Sequence, residues 1–522
     1  MMVDAVEGTS SSGGRRTRSG SRKHREKPSL KASQRPFKQP RRHLPPTNAI
    51  SADELEALHQ SSLKILSDIG MDVLFEEAKD LFREAGADVK GDRVRLEPEL
   101  VESLICTAPE TFTLHARNPA HNLNIGSDWV TFSSVASPPN STNIDRGRRA
   151  GTLSDFEDLV KFTQHFNCLH MNGGYPVEPV DIHASVRHLD CVSAFMKLTD
   201  KVPHIYSLGE ERVADGMEIV RIGRGVSKAQ FEEESSLISV INTSSPLRLD
   251  NPMAMGIIRL ARAGQATVIT PFTLAGAMAP VTIAGALSLQ NAEALLGVAL
   301  SQLAKKGAPV VYGGFTSNVD MKSGAPAFGT PEYMKAALVS GQLARRYKLP
   351  FRTSGVCAAN SADAQSAYET TFALWGAIMG GGNYIKHAAG WLEGGLSASY
   401  EKFMIDADML SMIHEFLTPL EINKDTFAFD AVKDVGPGGH FFGTKHTQER
   451  YMDAFYSPIV SDWRNFESWH EAGSPDAISK ANGLWKQILH EYEKPALDKA
   501  IEDELDAYVA KRKEAGGAPT DF

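Results

Sequence analysis

Only four cysteines occur in the 522 residues, Cys106, Cys168, Cys191 and Cys357, and no two form a C-x-x-C pair. That spacing argues against a disulfide framework and a thiolate zinc site, and it suits a reducing cytoplasm. No stretch approaches about 18 uninterrupted apolar residues, so no membrane-spanning helix is expected. The beginning of the chain lacks the apolar core of a secretory signal. No G-x-G-x-x-G follows a strand-like run, which removes the dinucleotide fingerprint. No G-x-S-x-G elbow supports acyl hydrolysis. His414, His440 and His446 have no carboxylate or cysteine to complete a tight ligand set, so no metal site is expected. The Gly380–Gly382 run precedes a strand rather than following one, which is the wrong end for a phosphate.

What is present is an ordinary globular composition, 42% apolar and 23% charged, with an uneven distribution of charge. Residues 1 to 44 hold twelve Lys or Arg against three acidic residues, about +9, which leaves about −18 for the rest of a chain whose net charge is −9. Residues 1–45, rich in Ser, Gly, Arg and Pro, read as a disordered basic tail. A basic arm can touch nucleic acid or an acidic partner, but the acidic body makes nucleic-acid chemistry an unsuitable reading.

From about residue 46 the chain becomes structured. Ser51 followed by Glu54 is a capping box opening a helix over 51–70. Further helices over 76–86 and about 97–106 complete an N-terminal helical cap, 46–125. Then the rhythm changes. Eight short β-rich runs begin at residues 129, 169, 203, 237, 266, 309, 350 and 383, separated by helix-patterned segments. Strand, loop and helix repeated eight times predict an α/β fold of the (β/α)8 TIM-barrel type over 126–420, because right-handed crossovers place every helix outside. Residues 421–522 read as a glycine-rich loop and a helical extension, with helices over 475–493 and 496–514.

In such a barrel, chemistry sits at the C-terminal ends of the strands. Those ends carry glycines and the aromatics Tyr175, Tyr206, Phe272, Tyr312, Phe315 and Trp391. A quaternary ammonium donates no strong hydrogen bond, so ring faces are its best partners. The segment GGNYIKHAAGWLEGG, 381–395, adds Lys386, His387 and Glu393. A barrel lysine at a strand end can form a Schiff base, which would make the protein a lyase. Side chains alternate along a strand, so Lys386 and His387 should not both face the axis. The spacing leaves both assignments open.

Three stretches then carry a likeness: DMKSGAPAFGTPEY (320–333), AAGWLEGGLSASYEKFMIDADML (388–410) and GPGGHFFGTKHTQERY (436–451). They resemble the trimethylamine methyltransferase family, whose members move a methyl group from a methylated amine to a corrinoid protein. The likeness runs from about 45 to 515. It implies an eight-stranded barrel whose cavity opens to a separate corrinoid-carrying protein, with no tightly bound cofactor in the chain itself. Archaeal trimethylamine enzymes insert pyrrolysine near a strand end. The corresponding stretch here, SGVCAANSADAQSAYE (354–369), contains only ordinary residues, which is similar to the branch that includes glycine betaine methyltransferases.

A quaternary nitrogen already carries charge and leaves neutral, so a quaternary amine such as glycine betaine is the favoured donor, with trimethylamine as the other possibility. For such a donor the rings at the strand ends, Tyr175, Tyr206, Phe272, Tyr312, Phe315 and Trp391, are expected to form an ammonium pocket, with His387 as a polar handle. Glu393 and Asp320 offer either charge near the ammonium or hydrogen bonds to loop backbone, and His387 and Glu393 are the catalytic candidates. A Schiff-base lyase using Lys386 and a non-catalytic methylated-amine binding protein are the alternatives. The helical extensions at both ends offer surfaces for a homo-oligomer.

Overall fold

The computed structural model describes residues 34–520. Six of the eight predicted runs form one parallel sheet. Its strands are β1 (Thr131–Phe132), β2 (Ile238–Ile241), β3 (Ala266–Ile269), β4 (Val310–Gly313), β5 (Phe351–Ser354) and β6 (Tyr384–Lys386), in the spatial order β1-β6-β5-β4-β3-β2. The runs at 169–176 and 203–209 contribute single parallel bridges instead, from Met171 to Ser133 and to Val202, and from His204 to Ile238. Helices follow the strands, among them Asn251–Arg262, Ile283–Ala304, Pro331–Arg346 and Ala364–Met379. The architecture is therefore α/β, with a parallel sheet and its covering helices.

Register sorts the side chains onto two faces. In a parallel pair, residues in register point the same way, and the pairs Val268–Val311, Gly313–Arg352, Arg352–Tyr384 and Ser354–Lys386 define one face. At the strands' beginnings that face is apolar. Ile238, Val268, Val311 and Tyr384 pack there with Leu114, Leu123 and Ile125 of a two-stranded hairpin. The opposite face packs on helices. Ile283–Ala304 is long and apolar enough to cross a membrane, yet 83% of its apolar window is buried inside the protein. It lies in a core with Leu63, Leu66, Phe82 and Val101 of the N-terminal region.

That region opens as its sequence predicts. Ser51 accepts from the Glu54 amide and Glu54 returns a bond to the Ser51 amide, starting helix Ala52–Lys64. The helices Glu76–Glu84 and Pro98–Ile105 follow, but a small sheet accompanies them, with Met71–Val73 paired to Arg93–Arg95 and in parallel to Arg248–Leu249. Most of the tail expected to be disordered lies outside the described residues. From Arg35 to Leu44 it instead lies extended on the body. Gln39 donates to Asn124 O (2.7 Å) and Thr131 Oγ1 (2.9 Å), the Phe37 ring lies tilted 4.4 Å from that of His121, and Arg41 pairs with Asp128. Its prolines favour an extended path that a free sheet edge and buried polar partners can hold. All four cysteines are free, three of them buried.

The loop after β6 is anchored from below. Helix Tyr400–Phe416 carries Lys402 and Asp406, which form a buried ion pair. Asp406 also accepts from the Gly390 amide at 2.9 Å, and Lys402 donates to Thr370 Oγ1 at 3.0 Å. Removing one partner strands the other charge. Lys402→Met is expected to lower stability by about 3–5 kcal/mol in urea unfolding, with most of the loss recovered when Asp406→Leu is added.

Candidate active site

The end of β6 breaks the rule of alternation. His387 has φ +58°, a left-handed conformation that is uncommon for any residue with a Cβ. The twist turns its ring inward directly after Lys386, so both are buried, at 4% and 5% exposure. The expectation that only one of them faces in is therefore corrected. Ser354 Oγ and His387 Nδ1 share a hydrogen bond of 3.2 Å, which fixes the ring.

Around His387 stands a cluster of rings. Trp391 lies 4.3 Å away between centroids and Phe315 5.8 Å. Phe315 contacts Phe272 at 5.1 Å and stacks on Phe328 at 5.5 Å, and Phe328 meets Trp391 edge-on at 6.2 Å. Tyr333 closes one side, donating its hydroxyl to Ser354 O at 2.8 Å. Trp391 is clamped by reciprocal bonds of 3.1 Å: its Nε1 donates to Cys357 O, and Cys357 Sγ donates to Trp391 O. Gly395 (φ +105°) must be glycine, since a Cβ there would meet the indole at 2.5 Å.

Beside the rings the same face turns basic. Arg352 is 1% exposed, its guanidinium 4.7 Å from the Phe315 centroid. Its neighbour in register, Gly313, has no room for a side chain, because a Cβ would sit 2.1 Å from Thr270 Oγ1. Lys386 makes no hydrogen bond or ion pair among the described residues. Burial, and then the nearby Arg352 charge, hold its amine well below the usual lysine range. Burial likewise holds His387 and His204 well below the usual imidazole range, with Lys386 and Arg352 adding to the effect on both. Neither ring nitrogen of His204 has a hydrogen-bond partner among the described residues, nor does Arg352 Nε. No group of three His, Cys, Asp or Glu among these residues is placed to hold a metal.

The expected pocket residues divide. Phe272, Phe315, Trp391 and His387 come together, but Tyr312 faces the other way. Val311 takes the inner face, so Tyr312 turns to helix Ile283–Ala304 and donates to Asn291 Oδ1 at 2.9 Å. Tyr175 and Tyr206 form a second pair, 4.2 Å apart, lining a cavity of about 180 Å³ with Glu178, Arg187 and His188. Glu393 is engaged by Arg148 at 2.8 Å, and Asp320 accepts from the Ser323 amide and hydroxyl of its own loop. Phe328, Tyr333, Arg352 and His204 join the site with no local sequence signal of their own; the first two lie inside the DMKSGAPAFGTPEY stretch.

The family model described as trimethylamine methyltransferase matches residues 13–517. A glycine betaine methyltransferase of Desulfitobacterium hafniense (strain Y51) is 38% identical over 475 residues, spanning 91% of this chain and 99% of that protein. A trimethylamine methyltransferase, MttB, of Desulfitobacterium hafniense (strain DSM 10664 / DCB-2) is 30% identical over 474 residues, spanning 90% and 94%. The crystal structure of the hydroxylamine MtmB complex superimposes with a TM-score of 0.48 and 11% identity over 84% of this chain and 88% of that one, a likeness too slight to build on. Matched along nearly its whole length, and at these identities to full-length relatives, the chain belongs to the trimethylamine methyltransferase family.

Proposed function

We propose that the protein removes a methyl group from a quaternary methylated amine, with glycine betaine the favoured donor, and passes it to the corrinoid of a separate protein. The observation that carries this reading is the ring cluster of Phe272, Phe315, Phe328, Trp391 and His387 at the C-terminal end of the sheet. Each ring face can contribute about 0.5–2 kcal/mol to holding a desolvated ammonium. When the methyl carbon is displaced, the C–N bond pair goes to nitrogen, which leaves as a neutral tertiary amine. No side chain has to donate a proton, and His387, held neutral by burial, suits a role in positioning. The corrinoid would supply the nucleophile. The exposed apolar side chains of Met278, Val281, Met321 and Leu396, on loops after β3, β4 and β6, fit the docking of the protein that carries it.

The fold within this reading is a closed (β/α)8 barrel. Its support is the pair of single-bridge segments at Met171 and at Val202–His204, which span between β1 and β2, the two edges of the six-stranded sheet. A cytoplasmic setting accords with the four free thiols.

A homo-oligomer completes the reading. Between Leu420 and Phe466 the chain displays Phe427, Phe429, Phe442, Phe455, Trp463 and Phe466, each at least 64% exposed. These six present on the order of 900 Å², at about 200 Å² per open aromatic side chain. Their summed area is comparable with the roughly 800 Å² per partner that a stable interface buries. A surface this apolar suits permanent burial by a second copy better than a corrinoid carrier that must come and go.

One further observation favours a second chemistry. Lys386, buried and beside Arg352, has the environment of a Schiff-base lysine.

Three measurements test these readings. Calorimetry with glycine betaine should find Trp391→Ala weaker by about tenfold; unchanged affinity removes Trp391 from the pocket. Borohydride with carbonyl compounds should leave Lys386 unlabelled by mass spectrometry, and a trapped adduct would transfer the case to the lyase. Light scattering should give at least twice the chain mass, reduced to one chain by Phe442→Glu with Phe455→Glu; a monomeric wild type contradicts the interface.

A further inference from the structure

Arg352, Lys386 and His204 lie on one face of the sheet, buried, and no Asp or Glu among the described residues bears on the charge of any of them. Two cationic side chains brought together in a dry interior with no carboxylate are costly. Among the described residues the Phe315 face, 4.7 Å from the Arg352 guanidinium, softens the arrangement. Hydrogen-bonding capacity is also left over. His204 has both ring nitrogens free among the described residues, and Arg352 has its Nε free, with its Nη1 reaching Gly314 O only at 3.4 Å. Proteins retain such groups where a ligand completes them.

The position of the three matters as much as their charge. Arg352 is in register with Gly313, and Phe315 stands two residues further along, toward the strand's C-terminal side. Lys386 immediately precedes His387, whose ring is 4.3 Å from Trp391. Arg352 therefore lies deeper along the strands than Phe315, and Lys386, in register with Ser354, lies level with Phe315 and just before His387 and Trp391. We infer that Arg352, Lys386 and His204 form an anion seat for the substrate's carboxylate, so that a betaine enters carboxylate first and presents its methylated ammonium to Phe315, His387 and Trp391. The inference rests on the ammonium reading above and narrows it to carboxylate-bearing, zwitterionic amines. Trimethylamine, choline and tetramethylammonium would leave the seat unfilled.

The seat has a protonic signature. The groups facing Lys386 are Arg352, His204, His387 and Tyr384, none of them anionic near neutral pH. Empty, Lys386 is deprotonated more readily than a free lysine. A bound carboxylate favours its charged form, so binding draws in a proton. Affinity for a betaine is then greatest below the pKa of the empty site and falls as pH rises through that of the complex. Without ligand the sign reverses for stability. The unfolded chain binds this proton and the native one resists it, so Lys386 weakens the native state below the ordinary lysine pKa.

Calorimetry on the full chain separates the two ends of the ligand, using glycine betaine, tetramethylammonium, and 3,3-dimethylbutyrate, in which carbon replaces the ammonium nitrogen. Lys386→Met and Arg352→Met should each weaken both carboxylates at least about tenfold, the loss of a charge-assisted bond. Tetramethylammonium should stay within about threefold. Wild type should take up a proton on binding betaine, read from the dependence of the enthalpy on buffer, and Lys386→Met should not. Ligand-free Lys386→Met should melt higher than wild type, which also shows that it folds. Betaine affinity unchanged in both variants, or no proton uptake by wild type, overturns the seat. A wild type that binds tetramethylammonium but neither carboxylate overturns the seat and spares the ring pocket. One that binds 3,3-dimethylbutyrate but not tetramethylammonium overturns the pocket and spares the seat.

Discussion

The left-handed backbone at His387 is the constraint on which the site depends. A regular continuation of β6 would have placed Lys386 and the next side chain on opposite faces. With φ at +58° both enter the same interior, one contributing an amine and the other a ring. Strain of this kind persists only where the surroundings over-determine it. Here Ser354 holds the imidazole, Trp391 packs on it, and the Cys357 carbonyl holds Trp391. The buried Lys402–Asp406 pair then grips the Gly390 amide in the middle of the turn.

Stability and function pull in different directions along this face. At the strands' beginnings the interior is an ordinary apolar core that favours folding. Beside and beyond that core it holds Arg352, Lys386 and His204, which a folding criterion alone would replace with leucines. Above them the rings return. Such a layered order (apolar floor, basic middle, aromatic rim) suits a small ligand that carries opposite charges at its ends, because each end meets its complement at a fixed depth. Orientation then follows from electrostatics, with no moving part.

The surface has a comparable division. Apolar side chains on the loops after β3, β4 and β6 suit a visiting partner, and the aromatic arm from Leu420 to Phe466 suits a resident one. The helix Ile283–Ala304, the one among the described residues long and apolar enough to cross a membrane, has its demand met internally against the N-terminal helices.

Periodicity alone located the eight β-rich runs and the helices that follow them, because alternation and capping are local properties; Ser51 and Glu54 announce their helix within four residues. The family was legible too, in stretches of residue identity that do not depend on folding. What the sequence could not carry was facing. Tyr312 and Phe315 look equally eligible at a strand end, and only the register with β3 and β5 sends the first to the helices and the second to the site. Arg352 reads as a mid-strand residue until its neighbours prove to include no carboxylate. Lys386 and His387 break alternation through a single dihedral that no spacing encodes. Which residues exist at the strand ends was a matter of local pattern, but which of them meet was decided by long-range pairing and one strained turn.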